Sequence, residues 1–417
     1  MSETKAPPSV AIIGSGFSGM TLAWALSKQG ISCEIFESSS RSGGLIFTDR
    51  KEAILAESAA NALLSNQHVE TLFQDLGLKP LVAGFRSNKR WIFRNKPQRL
   101  PLTLLEIVQS ASRLLKAKLT NKLHPFADET VADWGIRCFG HSFTQNLLTP
   151  ALQGIYGVGA AHLSADLVIG GVLKPQIKIP KGQLRGSISS ENGLYTVIES
   201  LEKYLKLQRV VFHYQQQVEI SDLQKKFAAV VVATSYLNSS QLLKSVAPQL
   251  SESLAQVPAV GLDVVVMGFK KEKPLQGFGC LFPREQGFNS LGVLFNTDIF
   301  AGRGSLQSES WIVPHQASPA LTEDELVQHV LSDRKQMLQY HDEPEFKKVT
   351  RWPKALPLYG FELKKVLNSD LLKNRMRVSE AKSPVYLTGN YLGAIGLGKI
   401  LGRNLKLADV IREEIAE

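Results

Sequence analysis

Apolar positions along this 417-residue chain fall into two textures. Unbroken runs at Val10-Ala11-Ile12-Ile13, residues 31–36 and Ala229-Val230-Val231-Val232-Ala233-Thr234 read as buried strands. An Ala/Leu-rich helix over 20–28 separates the first two. Periodic segments predict further helices over 68–76, 104–115, 128–140, 194–207 and 323–340, and a closing helix over 399–415. Alternation over 89–94 predicts a strand, then a turn at 95–97. Residues 210–212 and 218–220 read as strands. From Pro258 onward the texture turns strand-like, with 260–269 and 290–295 as an antiparallel sheet and 385–388 as a last strand. Residues 150–159 read as a loop-rich run. Lys174, Lys178, Lys181 and Arg185 lie in a Gly/Pro-punctuated linker, and 351–357 reads as irregular.

The turn after the first strand gives this pattern a chemical meaning. Gly14-Ser15-Gly16-Phe17-Ser18-Gly19 stands between strand and helix, and Glu37 closes the second strand. Strand, glycine turn, helix, strand and acid in that order form a dinucleotide fingerprint. Gly14 permits the tight turn, Gly16 lets the backbone approach a diphosphate, and Gly19 lets helix and strand pack closely. The helix start offers free N–H groups to phosphate. Glu37, about 20 residues on, is placed to accept the ribose hydroxyls of an adenosine.

Composition narrows the field. Hydrophobic residues at 44% and charged residues at 21% suit a globular protein with a substantial core. The net charge of +10 favours an anionic partner, either a membrane surface or a polycarboxylate substrate. Nucleic acid ranks last because no known motif or basic-aromatic run accompanies the charge. Cys33, Cys138 and Cys280 are far apart and share no metal-ligand or redox spacing, so no metal site and no disulfide framework is expected. The first nine residues hold no long apolar run, and the uncharged stretch 138–165 is broken by Pro150, two histidines and several glycines. Neither a secretory signal nor a membrane span is expected. The expectation is therefore a cytoplasmic protein. The helix at 104–115 carries Arg113 and Lys116, with Lys118 and Lys122 beyond it. It either packs on its own protein or lies on an anionic bilayer, at the cytoplasmic membrane face.

Arg41-Ser42-Gly43-Gly44 resembles the second glycine pair of the amine oxidase-like flavoprotein superfamily, a feature absent from ordinary nicotinamide dehydrogenases. Glu57-Ser58-Ala59-Ala60-Asn61 stands where that superfamily carries an E-x-G-P/A-x pattern against its flavin. Other segments are more specific. Thr130-Val131-Ala132-Asp133-Trp134 with Phe139-Gly140, and Gly154-Ile155-Tyr156 with Leu163-Ser164, are similar to runs in the protoporphyrinogen oxidase family. So are Gly277-Phe278-Gly279-Cys280-Leu281-Phe282-Pro283 with Leu291-Gly292-Val293-Leu294-Phe295 and Arg303, and Gly389-Asn390-Tyr391-Leu392-Gly393 with Gly396. The chain thus resembles that family along nearly its whole length. It departs at Asn192-Gly193, where the family has a glycine pair, and at Gly402-Arg403, where it has two small residues.

The resemblance implies an α/β protein, α+β overall. A discontinuous Rossmann-like FAD-binding domain would comprise 1–75, 186–240 and 376–417. A helical, membrane-proximal unit would span 76–185 and an antiparallel substrate domain 241–375. Non-covalent FAD would be held by Gly14, Ser15, Gly16, Phe17, Ser18, Gly19, Glu37, Ser38, Arg41, Gly43, Gly44, Val218, Thr234, Gly389, Asn390 and Gly396, with no cysteine near Gly389 to tether it. The implied reaction is the six-electron oxidation of protoporphyrinogen IX to protoporphyrin IX, with oxygen or another acceptor taking the electrons and peroxide formed from oxygen. Such chemistry belongs to the cofactor and asks little of protein acids and bases. Arg90 would anchor the propionates, with Arg86 and Arg94 as rivals, and Gly279, Leu281 and Leu294 would line an apolar slot. Coproporphyrinogen III, another flavin-oxidase substrate such as an amine or carotenoid, and a catalytically silent flavin-bearing assembly partner are the alternatives. A homodimer is a further expectation.

Overall fold

The computed structural model describes residues 9–173, 179–270, 273–315, 321–373, 377–378, 383–393 and 395–416. The chain before Ser9 lies outside them, as do Lys174 and Lys178 of the basic linker.

Two sheets organise the described chain. The first has five parallel strands in the spatial order Val211–His213, Ser32–Phe36, Ser9–Ile13, Ala229–Val232, Val385–Leu387. This order reverses direction beside the first strand, which is the arrangement of doubly wound nucleotide-binding sheets. Both faces are covered, hence the unbroken apolar runs. Val10, Ile12, Ile35 and Val231 face the helices Phe17–Ser27, Tyr195–Leu207 and Leu397–Ala416. Ala11, Ile13, Phe36, Val230 and Val232 face a second cluster containing Tyr236, Tyr359 and Tyr391.

The second sheet has seven strands, in the order Phe346–Pro357, Ala259–Phe269, Gln307–Pro314, Gly292–Phe295, Gly279–Leu281, Arg90–Arg94, Lys96–Gln98. All neighbours are antiparallel except Gly279–Leu281 with Arg90–Arg94. One face buries Val265, Met267, Cys280, Val293 and Trp311 against the helix Glu323–Leu338. The other sets Val264, Val266, Ile312 and Trp352 against the hairpin Thr48–Lys51 and Ile54–Glu57. A chain linking the two sheets at this hairpin brings the first sheet's carboxyl edge up to the second sheet.

Several elements differ from the sequence reading. Residues 351–357 are not irregular but extend the strand Phe346–Pro357. Pro353 and Pro357 are tolerated because this is an edge strand and the register shifts between Val260 and Leu262. Residues 150–159 are mostly helix, Thr149–Tyr156, with Pro150 in the first turn and Gly157 (φ 74°) stopping it. Residues 218–220 form no strand; Ile220 begins the short helix Ile220–Leu223 and buries itself under the first sheet. The strand Gln307–Pro314 carries alternating serines and a glutamate that disguised it. Residues 90–98, expected in the helical unit, pair into the seven-stranded sheet.

The helix Leu104–Leu119 is fixed at its start by a Thr103/Glu106 capping box and a two-pronged Arg94–Glu106 ion pair at 2.8 and 2.9 Å. That pairing, with the Thr103 hydrogen bonds, lowers the Glu106 carboxyl to about 2. Its apolar stripe does not turn inward. Leu104, Leu105, Val108, Leu115 and Leu119 are all more than half exposed, and only Ser110 and Ala117 are buried.

Candidate active site

The glycine turn is built by contacts that only glycine permits. Gly14 adopts φ 106° and would carry a Cβ 3.0 Å from the Ala233 carbonyl oxygen. A Cβ on Gly19 would stand 2.0 Å from the Gly14 carbonyl oxygen. Gly16 is the opposite case, since a Cβ there would meet nothing within 4 Å. The helix beyond it begins at Phe17 with no side-chain cap and no acidic residue in its first turn. Helices Leu104–Leu119 and Glu323–Leu338, by contrast, both close their own starts with a Thr/Glu capping box. Open space at Gly16 beside uncapped N–H groups fits the diphosphate of a dinucleotide.

Glu37 follows the strand Ser32–Phe36 beside the glycine turn. Its Oε2 accepts from the Ser15 N–H and hydroxyl, both at 2.8 Å, and its Oε1 from the Ser39 N–H and hydroxyl at 2.9 and 2.8 Å. Burial by itself would raise this carboxyl; the four donors outweigh it and hold the group below its ordinary range. A ribose diol binding here would share these oxygens with the serine donors. Ser38 is exposed next to it. The Gly43 N–H donates to the Ser15 carbonyl at 2.9 Å, so the second glycine pair docks on the first turn. Gly44 approaches Gly16, with a Cβ on Gly44 falling 3.5 Å from the Gly16 Cα. Arg41 turns its guanidinium inward to the carbonyls of Ser42, Gly44 and Ile46, and lies 5.0 Å from the Phe47 ring centre. It therefore braces the loop that shapes the pocket.

On the far side, Thr234 bonds the Ser239 hydroxyl at 3.0 Å, and Val218 packs at the rim of the core beside the sheet. A Cβ on Gly389 would fall 3.5 Å from the Thr234 carbonyl oxygen. Gly389, with Asn390 next to it, thus lies at the carboxyl edge of the same sheet as Gly14. The Gly389 carbonyl accepts from Arg403 at 3.3 Å and the Asn390 carbonyl from the Tyr359 hydroxyl. The Gly396 carbonyl accepts the first N–H bonds of the closing helix.

The four expected substrate residues share one face of the second sheet. Arg90 pairs with Gly279, Gly279 with Leu294, and Leu281 lies two positions along. A Cβ on Gly154 would stand 2.8 Å from Leu281 Cδ2, so the helix Thr149–Tyr156 roofs that face. Arg90 is exposed and stacks over the Phe278 ring at 4.5 Å; among the described residues it has no carboxylate partner. Its rivals are engaged, Arg94 with Glu106 and Arg86 with Asp298 at 3.9 Å.

Three contributions escaped sequence reasoning. Trp352 Nε1 donates to the Ser58 carbonyl at 2.7 Å, joining the edge strand to the Glu57–Asn61 segment. Asn61 bonds Asn296 Oδ1 at 2.6 Å. Buried Glu57 accepts from Thr48 at 2.6 Å and Leu194 N–H at 2.8 Å, and lies 3.7 Å from buried Arg303. The prolines around Trp352 hid it, and the other pairs join residues too distant in sequence for any local signal.

The family model for flavin containing amine oxidoreductase matches residues 17–397. The mitochondrial protoporphyrinogen oxidase of Nicotiana tabacum is 25% identical, with 96% of this chain and 94% of that protein covered. The coproporphyrinogen III oxidase of Bacillus subtilis (strain 168) is 22% identical over 93% of this chain and 94% of its own. The solved structure of cyclohexylamine oxidase from Brevibacterium oxydans IH-35A shares the fold with a TM-score of 0.70, at 17% identity over 99% of this chain and all of that one.

Proposed function

The chain belongs to the flavin-containing amine oxidoreductase family, and on that footing we propose that it is an FAD-dependent oxidase of a porphyrinogen, taking protoporphyrinogen IX to protoporphyrin IX. The cofactor is FAD, bound without a covalent link. The fingerprint with Glu37 suits the adenosine half, and residues 389–396 contain no cysteine to act as a tether. Bound flavin supplies the two-electron acceptor for hydride removal from carbon, and oxygen serves as the final oxidant with release of peroxide.

The single observation carrying the substrate assignment is Arg90. Among the described residues it is a cation without a carboxylate partner, at the rim of a face with Gly279, Leu281 and Leu294. A broad apolar macrocycle with carboxylates at one edge matches an apolar strand face with one arginine at its border. The guanidinium can take a propionate through two parallel hydrogen bonds. Leu281 packs against the helix Thr149–Tyr156, which walls that face. Six electrons leave as three hydride and three proton equivalents, and the pyrrole protons need only solvent as acceptor. No further acid–base pair is required of the protein.

Anaerobic addition of protoporphyrinogen IX to the FAD-loaded protein is expected to bleach the flavin absorbance near-stoichiometrically. Bound FAD that neither protoporphyrinogen nor coproporphyrinogen reduces would refute the oxidase assignment and favour an assembly role. Faster bleaching by coproporphyrinogen would move the assignment to that substrate, whose additional carboxylates suit the net charge of +10. In the same assay Arg90→Ala should raise KM roughly tenfold or more, the loss expected for a charge-assisted pair, with FAD content unchanged. An unaltered KM would remove Arg90 from the site.

The exposed stripe of the helix Leu104–Leu119 supports a second part of the proposal: the protein is peripheral on an anionic bilayer. Five exposed apolar side chains lie on a helix that also exposes Arg113, Lys116 and Lys118, with Lys122 just beyond it. That combination fits insertion of the stripe between acyl chains under anionic headgroups. Among the described residues no helix is long and apolar enough to cross a membrane. Co-sedimentation with phosphatidylserine-containing vesicles should weaken with salt, and Leu104→Asp/Val108→Asp should abolish it. Equal sedimentation of that variant would reject the surface.

A further inference from the structure

The closing helix Leu397–Ala416 carries two adjacent polar side chains in opposite circumstances. Asn404 is satisfied on one side, donating to the Ser18 carbonyl at 2.7 Å and the Thr21 hydroxyl at 2.8 Å and accepting from Thr388. These bonds lock the helix to the one that starts at the glycine turn. Arg403, one residue earlier, points elsewhere. It is 9% exposed, and among the described residues its hydrogen bond to the Gly389 carbonyl is the sole one it makes.

Other strongly buried basic side chains of this chain face carboxylates. Lys273 lies 3.0 Å from Asp298, Arg334 lies 3.0 Å from Glu309, and Arg303 lies 3.7 Å from Glu57. Arg403 has no carboxylate among the described residues; its ionisable neighbours are the phenols of Tyr359 and Tyr391. Both phenols are themselves held protonated by burial, so they supply no negative charge. A buried guanidinium without an anion is expensive, because the carbonyl dipole of Gly389 replaces little of its lost hydration.

Its location says which anion is missing. The helix it leaves packs on one face of the five-stranded sheet, through Leu401, Leu407, Ala408 and Ile411. Tyr359 and Tyr391 belong to the core on the opposite face. The side chain therefore crosses the carboxyl edge of the sheet, past the end of the strand Val385–Leu387. Gly389 abuts Thr234 there, and Gly14 abuts Ala233. In doubly wound sheets the ligand lies along that edge, where the strand order reverses. The first turn of the helix Phe17–Ser27 offers uncapped N–H groups to the same crevice but no full positive charge.

We propose that Arg403 is a cofactor-binding residue, the counter-cation for the diphosphate of the bound dinucleotide. It stands where the family that the chain resembles has a small residue, so this chain adds a full charge to a site otherwise made of backbone donors. Binding of the diphosphate supplies the anion that Arg403 lacks in the free protein. The inference rests on the proposal that the cofactor is FAD.

The test titrates apoprotein with FAD, ADP and adenosine by calorimetry. Arg403→Gln is expected to weaken FAD and ADP roughly 10- to 100-fold, the range for hydrogen bonds to charged groups, and to leave adenosine unchanged. Arg403→Lys is expected to recover most of the loss and serves as the working variant if the glutamine form does not fold. The melting temperature of the Arg403→Gln apoprotein is expected to stay level or rise, because an unpaired buried charge has gone. Unchanged FAD affinity with a lower apoprotein melting temperature would make Arg403 a packing residue and overturn the proposal. Loss of FAD affinity with ADP unaffected would overturn it too, by moving the contact to the flavin end. Wild-type apoprotein that binds ADP but not FAD would instead refute the FAD reading while leaving Arg403 testable on ADP.

Discussion

Gly19→Ala is expected to strip the protein of its flavin. In an ordinary helix this change stabilises by about 1 kcal/mol, since alanine has the better propensity. Here the added methyl would stand 2.0 Å from the Gly14 carbonyl oxygen and 3.2 Å from Ala233 Cβ. Neither neighbour can retreat. Gly14 is held at φ 106° with its N–H on the Phe36 carbonyl at 2.8 Å, and Ala233 continues the central strand. The helix must lift away from the turn, at an overpacking cost of ~1–3 kcal/mol or more. The first-turn N–H groups leave the diphosphate as it lifts. FAD affinity should fall on the order of 100-fold, and the apoprotein should melt earlier. Gly16→Ala gives the contrasting result, since its methyl meets no protein atom within 4 Å. The apoprotein should keep its stability while losing FAD, because the methyl takes the ligand's space. Flavin-to-protein absorbance ratios and apoprotein melting curves distinguish the two. Full FAD content in Gly19→Ala would discredit the placement of the turn.

Arg303→Met should produce a large loss of stability. Glu57 is 3% exposed, and Arg303 is its buried cation at 3.7 Å, also donating to the Ser190 carbonyl and stacking 4.4 Å over Phe300. Burial pushes the Glu57 carboxyl up and the Arg303 guanidinium down to about 10. Ionised Glu57 is therefore tolerated through the Thr48 and Leu194 donors and then the Arg303 charge, and Arg303 through Glu57. Removing one partner of a buried pair typically costs ~3–5 kcal/mol. Glu57→Gln/Arg303→Met should recover much of that loss, since a neutral amide keeps hydrogen bonds to Thr48 and Leu194 without a stranded charge. The pH dependence has a definite sign. The folded-state value of Glu57 lies above its ordinary 4.5, so ionised Glu57 opposes folding above that raised value and ceases to do so below it. The Arg303→Met deficit should thus be full at neutral pH and shrink as pH falls through the raised value. Urea unfolding across that range measures it, and a deficit that grows toward acid would contradict the pairing.

The division between what could and could not be read tracks interaction range. Gly14 to Gly19, Glu37 and Arg41 to Gly44 were legible because a turn, a helix start and a strand end lie within one short stretch. Each requirement there is met by residue type at a fixed spacing. The buried strands at 10–13 and 229–232 were legible because burial on both faces demands unbroken apolar runs. Gln307–Pro314 was missed because Ser308, Ser310 and Glu309 find their partners in Asn296, Arg334 and Trp311, and sequence polarity carries no sign of that. Phe346–Pro357 was missed, its second half because a proline ends most strands and only its place at a sheet edge makes this one an exception.

The sequence put Arg90 forward by resemblance, with Arg86 and Arg94 as rivals of the same chemistry. That Arg94 pairs with Glu106 and Arg86 with Asp298 took the tertiary structure, since the partners lie 12 and more than 200 residues away along the chain. The exposure of the helix at 104–119 is likewise a tertiary fact, since its periodic apolar stripe reads the same whether it is buried or exposed. By itself the sequence determined that a dinucleotide turn opens the chain and which residue types form it, because those demands are local and steric. The tertiary structure decided which charges are spent and which remain free, because pairing depends on what the fold brings within a few ångströms.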